Sequence, residues 1–232
     1  MSVLVTSCGR SGTNLVTEIL TQSKELEATK IVEDKDIFRR RKIIGEKYLS
    51  KSDTHYSRNL DDIDFVMSNN PHLKIVWTIR DPKDMILSKM RRGQKGMDGN
   101  HITADDATPK GCVEDINNMF KVYNHIKTNY PYRIKVVKME DVILDFENII
   151  QGLCEYIGIS YDENMKNFTF RNQHKYSRYK GLDSSQVGLW EKRNEVYYGF
   201  FSKNDYHIEE IANNINEITK YFEYETFSNS KG

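Results

Sequence analysis

Near its start the chain reads Cys8-Gly9-Arg10-Ser11-Gly12-Thr13-Asn14. Gly9 and Gly12 allow a sharp turn and a close approach of backbone to a ligand. Loop amides and the first amides of a following helix can converge on an anion, which the helix dipole favours. Arg10 adds a permanent positive charge whose forked donors suit phosphate or sulfate, while Ser11 and Thr13 add hydroxyls. The spacing is not that of a Walker A loop, because no lysine follows Gly12. A tight turn with an exposed arginine is the alternative reading of the same residues.

A second group follows the run KIVWTIR (74–80), where Arg80-Asp81-Pro82-Lys83-Asp84 precedes a helical pattern. Asp81 suits an N-cap, Pro82 the first helical position and Asp84 the third. Ser88 then lies about two turns along the helix. Arg80 and Ser88 can grip one phosphate from two sides. Alternatively, Arg80 pairs with Asp81 or Asp84.

These residues need a scaffold. SVLVTS (2–7), KIVWTIR and RIKVVKM (133–139) are short apolar runs that suit buried strands. Helical spacing places Leu15 with Ile19, and Val16 with Leu20, after the first strand. The helix after Arg80 extends to about Arg92. Helices are also expected over 112–129 and 146–157, and at Ile208, Ile211, Ile215, Ile218 and Phe222, whose stripe reads as core. Residues 93–111 read as a long loop. Strands alternating with helices predict an α/β fold with a mostly parallel sheet and helices on both faces. Ligands of such sheets bind beyond the carboxyl ends of strands, here 7–13, 80–84 and 139–141.

Composition narrows the classes. The 232 residues carry 34 Lys+Arg and 34 Asp+Glu, so net charge is zero and a binder of nucleic acid through bulk positive potential is not expected. An apolar fraction of 38% is below the ~45–50% of an average domain and suggests a charged cleft. No stretch suits a membrane span or a signal peptide. Three cysteines without CxxC spacing suggest neither disulfides nor zinc, and a cytoplasmic, reducing compartment. With few prolines and no linker, residues 1–232 read as one domain.

Both anion-binding patterns occur in one chain, in this order. GRSGTNLV resembles the 5′-phosphosulfate loop of sulfotransferases that use 3′-phosphoadenosine 5′-phosphosulfate (PAPS). RDPKDMILSKM resembles their 3′-phosphate segment, including the eight-residue step from Arg80 to Ser88. VKMEDVILDFENIIQGLCEYIGI is similar to their strand, acidic pair and helix, and SSQVGLWEK to a late segment of bacterial and carbohydrate members. The resemblance implies a P-loop-like three-layer fold in one sulfotransferase domain. It implies PAPS as sulfate donor, 3′,5′-ADP as product and no metal. Gly9, Ser11, Gly12, Thr13 and Asn14 would hold the 5′-phosphate, with Arg10 stabilising the leaving oxygen. Arg80 and Ser88 would hold the 3′-phosphate. Ser184 and Ser185 stand where eukaryotic cytosolic members carry Arg-Lys-Gly, and could serve the same phosphate. Leu15 falls where many members stack an aromatic ring on adenine; Phe170, Tyr176 and Tyr179 are substitutes or lid packing. Met139 stands in for a usual tyrosine.

In-line sulfuryl transfer needs positioning, charge stabilisation and a base for the acceptor proton. Of six histidines, His55 resembles the histidine of the family's Lys-Thr-His segment, with Asp53 in place of the lysine. His101 and His174 fall in loops, while His72, His125 and His207 read as turn or helix-surface residues. A carboxylate, Glu33 or Asp34, is the fallback base. Arg39, Arg40, Arg41 and Lys42 read as a solvated face or an anionic subsite, and Lys89, Arg91 and Arg92 as flanking the nucleotide. The acceptor is expected to be a polar small molecule or saccharide, O- or N-sulfated, bounded by loops at 22–55, 93–111 and 171–187. A homodimer is compatible with the sequence. The rival functions are a P-loop nucleotide or small-molecule kinase, and a non-catalytic nucleotide-binding module of the same fold.

Overall fold

The computed structural model describes residues 1–28, 34, 36–43, 47–53, 59–94, 108–167 and 208–224. Its sheet contains β1 (Ser2–Ser7), β2 (Glu27–Ala28), β3 (Tyr48–Asp53), β4 (Leu73–Ile79) and β5 (Ile134–Lys138), in the order β2-β3-β1-β4-β5. Every adjacent pair is parallel. All six residues of β1 are buried, as the unbroken apolar run requires of a strand covered on both faces. β1 is the middle strand, so Arg80 follows the strand beside the centre rather than the central strand itself.

Helices cover both faces. On one side α1 (Thr13–Leu20), α5 (Met139–Leu144) and α6 (Phe146–Ile157) contribute Leu15, Ile19, Val142, Ile150 and Leu153 to a core under Val3, Val5 and Val76. On the other, α2 (Leu60–Asn69), α3 (Pro82–Gln94), α4 (Pro109–Asn129) and α7 (Ile208–Tyr221) pack around Leu4, Ile75, Trp77 and Ile79. Aromatic contacts clamp α7 to α4, with Phe120 to Tyr221 and Tyr123 to Phe222 both at 5.1 Å between ring centres. This is a P-loop-like α/β fold of three layers.

Three expectations change. Residues 22–55 are not one loop: Tyr48–Asp53 is a strand paired with β1 over six positions. Its Ser50, Lys51 and Ser52 are buried although polar, because the ladder and the covering layers decide burial there, not hydropathy. The α2 helix is additional, with Asn59 Oδ1 accepting the Asp61 N–H at 3.1 Å as its cap. Helix α4 begins at Pro109, inside the expected 93–111 loop, because Thr108 Oγ1 accepts the Gly111 N–H at 3.0 Å and Pro109 suits the first turn. Cys8, Cys112 and Cys154 are buried thiols, none of them in a disulfide. Among the described residues no helix is long and apolar enough to cross a membrane, and no three His, Cys, Asp or Glu converge as metal ligands.

Candidate active site

The chain leaves β1 at Ser7 and turns through residues 8–12 into α1. Two residues of this turn take left-handed backbone, Arg10 at φ 76° and Gly12 at φ 101°. Gly9 is not one of them, so the bend rests on Arg10 and Gly12. A Cβ at Gly12 would lie 3.2 Å from Met139 Cβ, so any other residue there must crowd Met139 as well as adopt a strained torsion. Left-handed arginine is strained by ~1–3 kcal/mol, and its side chain is tied accordingly: Arg10 Nε donates to Ser88 Oγ on α3 at 2.8 Å. Ser11 is fully buried, and its hydroxyl shares a 2.9 Å hydrogen bond with the Thr78 hydroxyl of β4. Ser11 therefore ties the loop to the sheet, leaving its backbone N–H as the group it can offer a ligand. Thr13 opens α1 and its carbonyl accepts from the Thr17 hydroxyl at 2.7 Å. Asn14 Oδ1 accepts from Lys51 Nζ on β3. Helix α1 has no side-chain cap and no acid in its first turn, so no acidic side chain of that turn offsets its positive end.

At the end of β4, Arg80 Nε and Nη2 both donate to Asp84 Oδ2, at 3.0 and 2.6 Å. The pairing fixes the guanidinium plane; among the described residues Nη1 has no partner. Asp81 caps α3, its Oδ1 accepting the Lys83 N–H at 2.8 Å. Its own N–H donates to Glu140 Oε1 at 3.1 Å, and the Tyr224 hydroxyl donates to Glu140 Oε2 at 2.8 Å. Among the described residues, Asp81, Asp84 and Glu140 thus lie beside Arg80 and Lys83, with Lys83 Nζ 3.8 Å from Asp81 Oδ2. Burial pushes the Asp81 carboxyl up to about 7 despite the Lys83 ammonium. Burial also raises Glu140, against the hydrogen bond from the Asp81 N–H.

The fold brings Gly9, Arg10, Ser11, Gly12, Thr13, Asn14, Arg80 and Ser88 to the carboxyl ends of β1 and β4 and the helices that follow them. Ser88 meets Arg10. His55, Glu33, Ser184 and Ser185 lie outside the described residues, as do His101, His174, His207, Phe170, Tyr176 and Tyr179. Asp34 accepts from Arg40 Nη1 at 2.9 Å, while Arg39, Arg41 and Lys42 are exposed. Lys89 does not flank the site: it forms a buried ion pair with Asp115 of α4. His125 is bound to Asp64 at 2.8 Å, and His72 sits at the amino end of β4. Lys51, Thr78 and Tyr224 are additions that the sequence reading passed over. Lys51 was hidden in a strand whose polarity disguised it; recognising β3 would have put it on the face of Asp53, two residues on.

Solved structures share this architecture. The sulfotransferase domain from the curacin biosynthetic pathway matches with a TM-score of 0.65 at 13% identity, covering 97% of this chain and 98% of that one. The sulfotransferase domain of the Synechococcus PCC 7002 olefin synthase gives 0.65 and 13%, over 98% of this chain and 96% of that one. Mouse sulfotransferase SULT7A1 complexed with PAP gives 0.52 and 16%, over 70% of this chain and 60% of that one. No curated protein sequence matches significantly. A sequence model described as the sulfotransferase family matches residues 41–163, more than half of the chain, and this stretch contains β3, the Arg80 strand end, Ser88, β5 and α6. The chain belongs to the sulfotransferase family.

Proposed function

We propose that the protein transfers the sulfuryl group of PAPS to a hydroxyl or amine of a polar small molecule or saccharide. The observation that carries the reading is the Arg10–Ser88 hydrogen bond, which joins the loop at the start of α1 to the helix that follows Arg80. A donor with a phosphosulfate at one end and a 3′-phosphate at the other needs two anion sites on one surface. Backbone amides of residues 9–14 and the Asn14 side chain serve the 5′ end. Arg80, through Nη1, and Ser88 serve the 3′-phosphate, with Ser184 and Ser185 added to that set. Arg10 stabilises the bridging oxygen as it leaves. His55 takes the acceptor proton as the new bond to sulfur forms and the old sulfur–oxygen bond breaks, releasing 3′,5′-ADP. We assign one domain over residues 1–232, supported by the near end-to-end match to the curacin pathway domain. Three buried thiols, none in a disulfide, support a reducing, cytoplasmic setting. The chemistry assigned here calls for no metal.

Titration calorimetry tests the donor. The chain is expected to bind 3′,5′-ADP at least tenfold more tightly than 5′-AMP, about 1.4 kcal/mol. Arg80→Ala is expected to weaken 3′,5′-ADP by about 2 kcal/mol and 5′-AMP by under ~0.5 kcal/mol. Equal losses would remove Arg80 from the 3′ site. His55→Ala is expected to keep 3′,5′-ADP binding and lower sulfate transfer by about 10²-fold or more. Unchanged turnover would exclude His55 as base, and tighter binding of ATP than of 3′,5′-ADP would favour a kinase.

A further inference from the structure

The Lys51–Asn14 hydrogen bond has a chemical consequence for the loop. Lys51 stands on β3 opposite Val5, and Leu49, two residues earlier on the same face, packs in the core that contains Leu15 and Val16 of α1. The lysine stem therefore runs beneath α1, 7% exposed, and its ammonium reaches the first turn of that helix at Asn14. An ammonium has three donors and no acceptor, so only the oxygen of the carboxamide can face it. With Oδ1 engaged, Asn14 turns its NH₂ group away from Lys51. Asn14 is itself exposed, and among the described residues its amide nitrogen has no partner. A cation at the positive end of a helix opposes the macrodipole, and an anion arriving there relieves both.

We propose that Lys51 is a positioning residue: it holds Asn14 as a donor-only side chain for the anion bound at the start of α1. Lys51 acts through Asn14 and does not touch the ligand. The proposal rests on the phosphosulfate reading above and names the device that gives a neutral amide the polarity an anion needs.

Calorimetric titration with 3′,5′-ADP supplies the test. Lys51→Met is expected to weaken binding about tenfold, and Lys51→Arg, which retains donors and charge, to stay within about threefold of the parent chain. Adding Lys51→Met to Asn14→Ala is expected to cost under about twofold beyond Asn14→Ala alone, because the two residues act as one unit. Parent-like binding by Lys51→Met overturns the proposal. So does a full tenfold cost of Lys51→Met in the Asn14→Ala background, since Lys51 would then act on the ligand directly. Should Lys51→Met not fold, Asn14→Asp carries the test: it has no N–H to donate, a loss of about tenfold is expected, and parent-like affinity overturns the proposal. Failure of the parent chain to bind 3′,5′-ADP at all would instead remove the phosphosulfate reading itself.

Discussion

At the scale of single residues, the site depends on two left-handed positions with opposite demands. Gly12 meets its φ of 101° without strain, whereas Arg10 holds φ 76° because its guanidinium is anchored on Ser88. Gly12→Ala is expected to destabilise by about 2 kcal/mol, combining left-handed strain with the crowding of Met139. A lowered urea midpoint at unchanged m value checks it. Asp81 gives a pH signature. Its folded pKa, about 7, is above the ordinary carboxylate value, so between about pH 4 and 7 the folded chain binds more protons than the unfolded one. Stability from this group is full below about pH 4 and is lost as pH rises through 7, with a slope of up to ~1.4 kcal/mol per unit. Asp81→Asn keeps an N-cap and is expected to flatten that slope; melts at pH 5 and pH 7.5 measure it, and an undiminished slope refutes the assignment. These residues were unevenly legible. Arg10, Gly12 and Arg80 stand out because punctuating glycines and a strand-end charge are local signals. Tyr224 does not, because its bond to Glu140 spans 84 positions and nothing beside it in the chain announces a partner.

At the scale of elements, the apolar runs of β1 and β4 were readable because a strand covered on both faces must be apolar nearly throughout, while the edge strand β5 showed through its β-branched Ile134, Val136 and Val137. The exception, β3, carries Ser50, Lys51 and Ser52 inward, and Thr6 Oγ1, Ser52 Oγ and Trp77 Nε1 form a row of buried polar atoms across three strands that have no hydrogen-bond partner among the described residues. Pattern reasoning fails where the sheet tolerates such a row. Helix α2 shows a different cause: Ile63, Val66 and Met67 do have helical spacing, but Asp61, Asp62 and Asp64 among them dilute the run. The terminal turn after α7 is attached to the β5–α5 junction by the Tyr224 hydroxyl and by Lys138 lying 5.1 Å over the Tyr224 ring. Tyr224→Phe is expected to cost about 1–2 kcal/mol and to raise amide exchange in α7 more than in α1. Uniform exchange changes would show that the hydroxyl does not hold α7 locally.

At the scale of the whole molecule, zero net charge and an anion site coexist. Arg10, Arg80, Lys51 and Lys83 gather at strand ends, and compensating acids stand elsewhere or, like Asp84, hold a cation in place. The two cores lie on opposite faces of one sheet. Ile215→Ala on the α7 side and Leu153→Ala on the α6 side, both fully buried, are each expected to cost about 2–4 kcal/mol. With the sheet between them, the double variant is expected to equal the sum within about 0.5 kcal/mol by chemical denaturation; a larger discrepancy would mean that the sheet transmits strain between its faces.

The wholly parallel order β2-β3-β1-β4-β5 also dictates when the chain can fold. Strand β1 is synthesised before both of its neighbours, and its second neighbour is complete only at Ile79. Until then one edge of this apolar strand waits unpaired, and no short-range contact can relieve it. The anion loop, which hangs from the end of β1, therefore acquires its shape late, after Thr78 and Ser88 have arrived to hold it. In a growing polypeptide this is a window in which β1 is exposed to association with other chains.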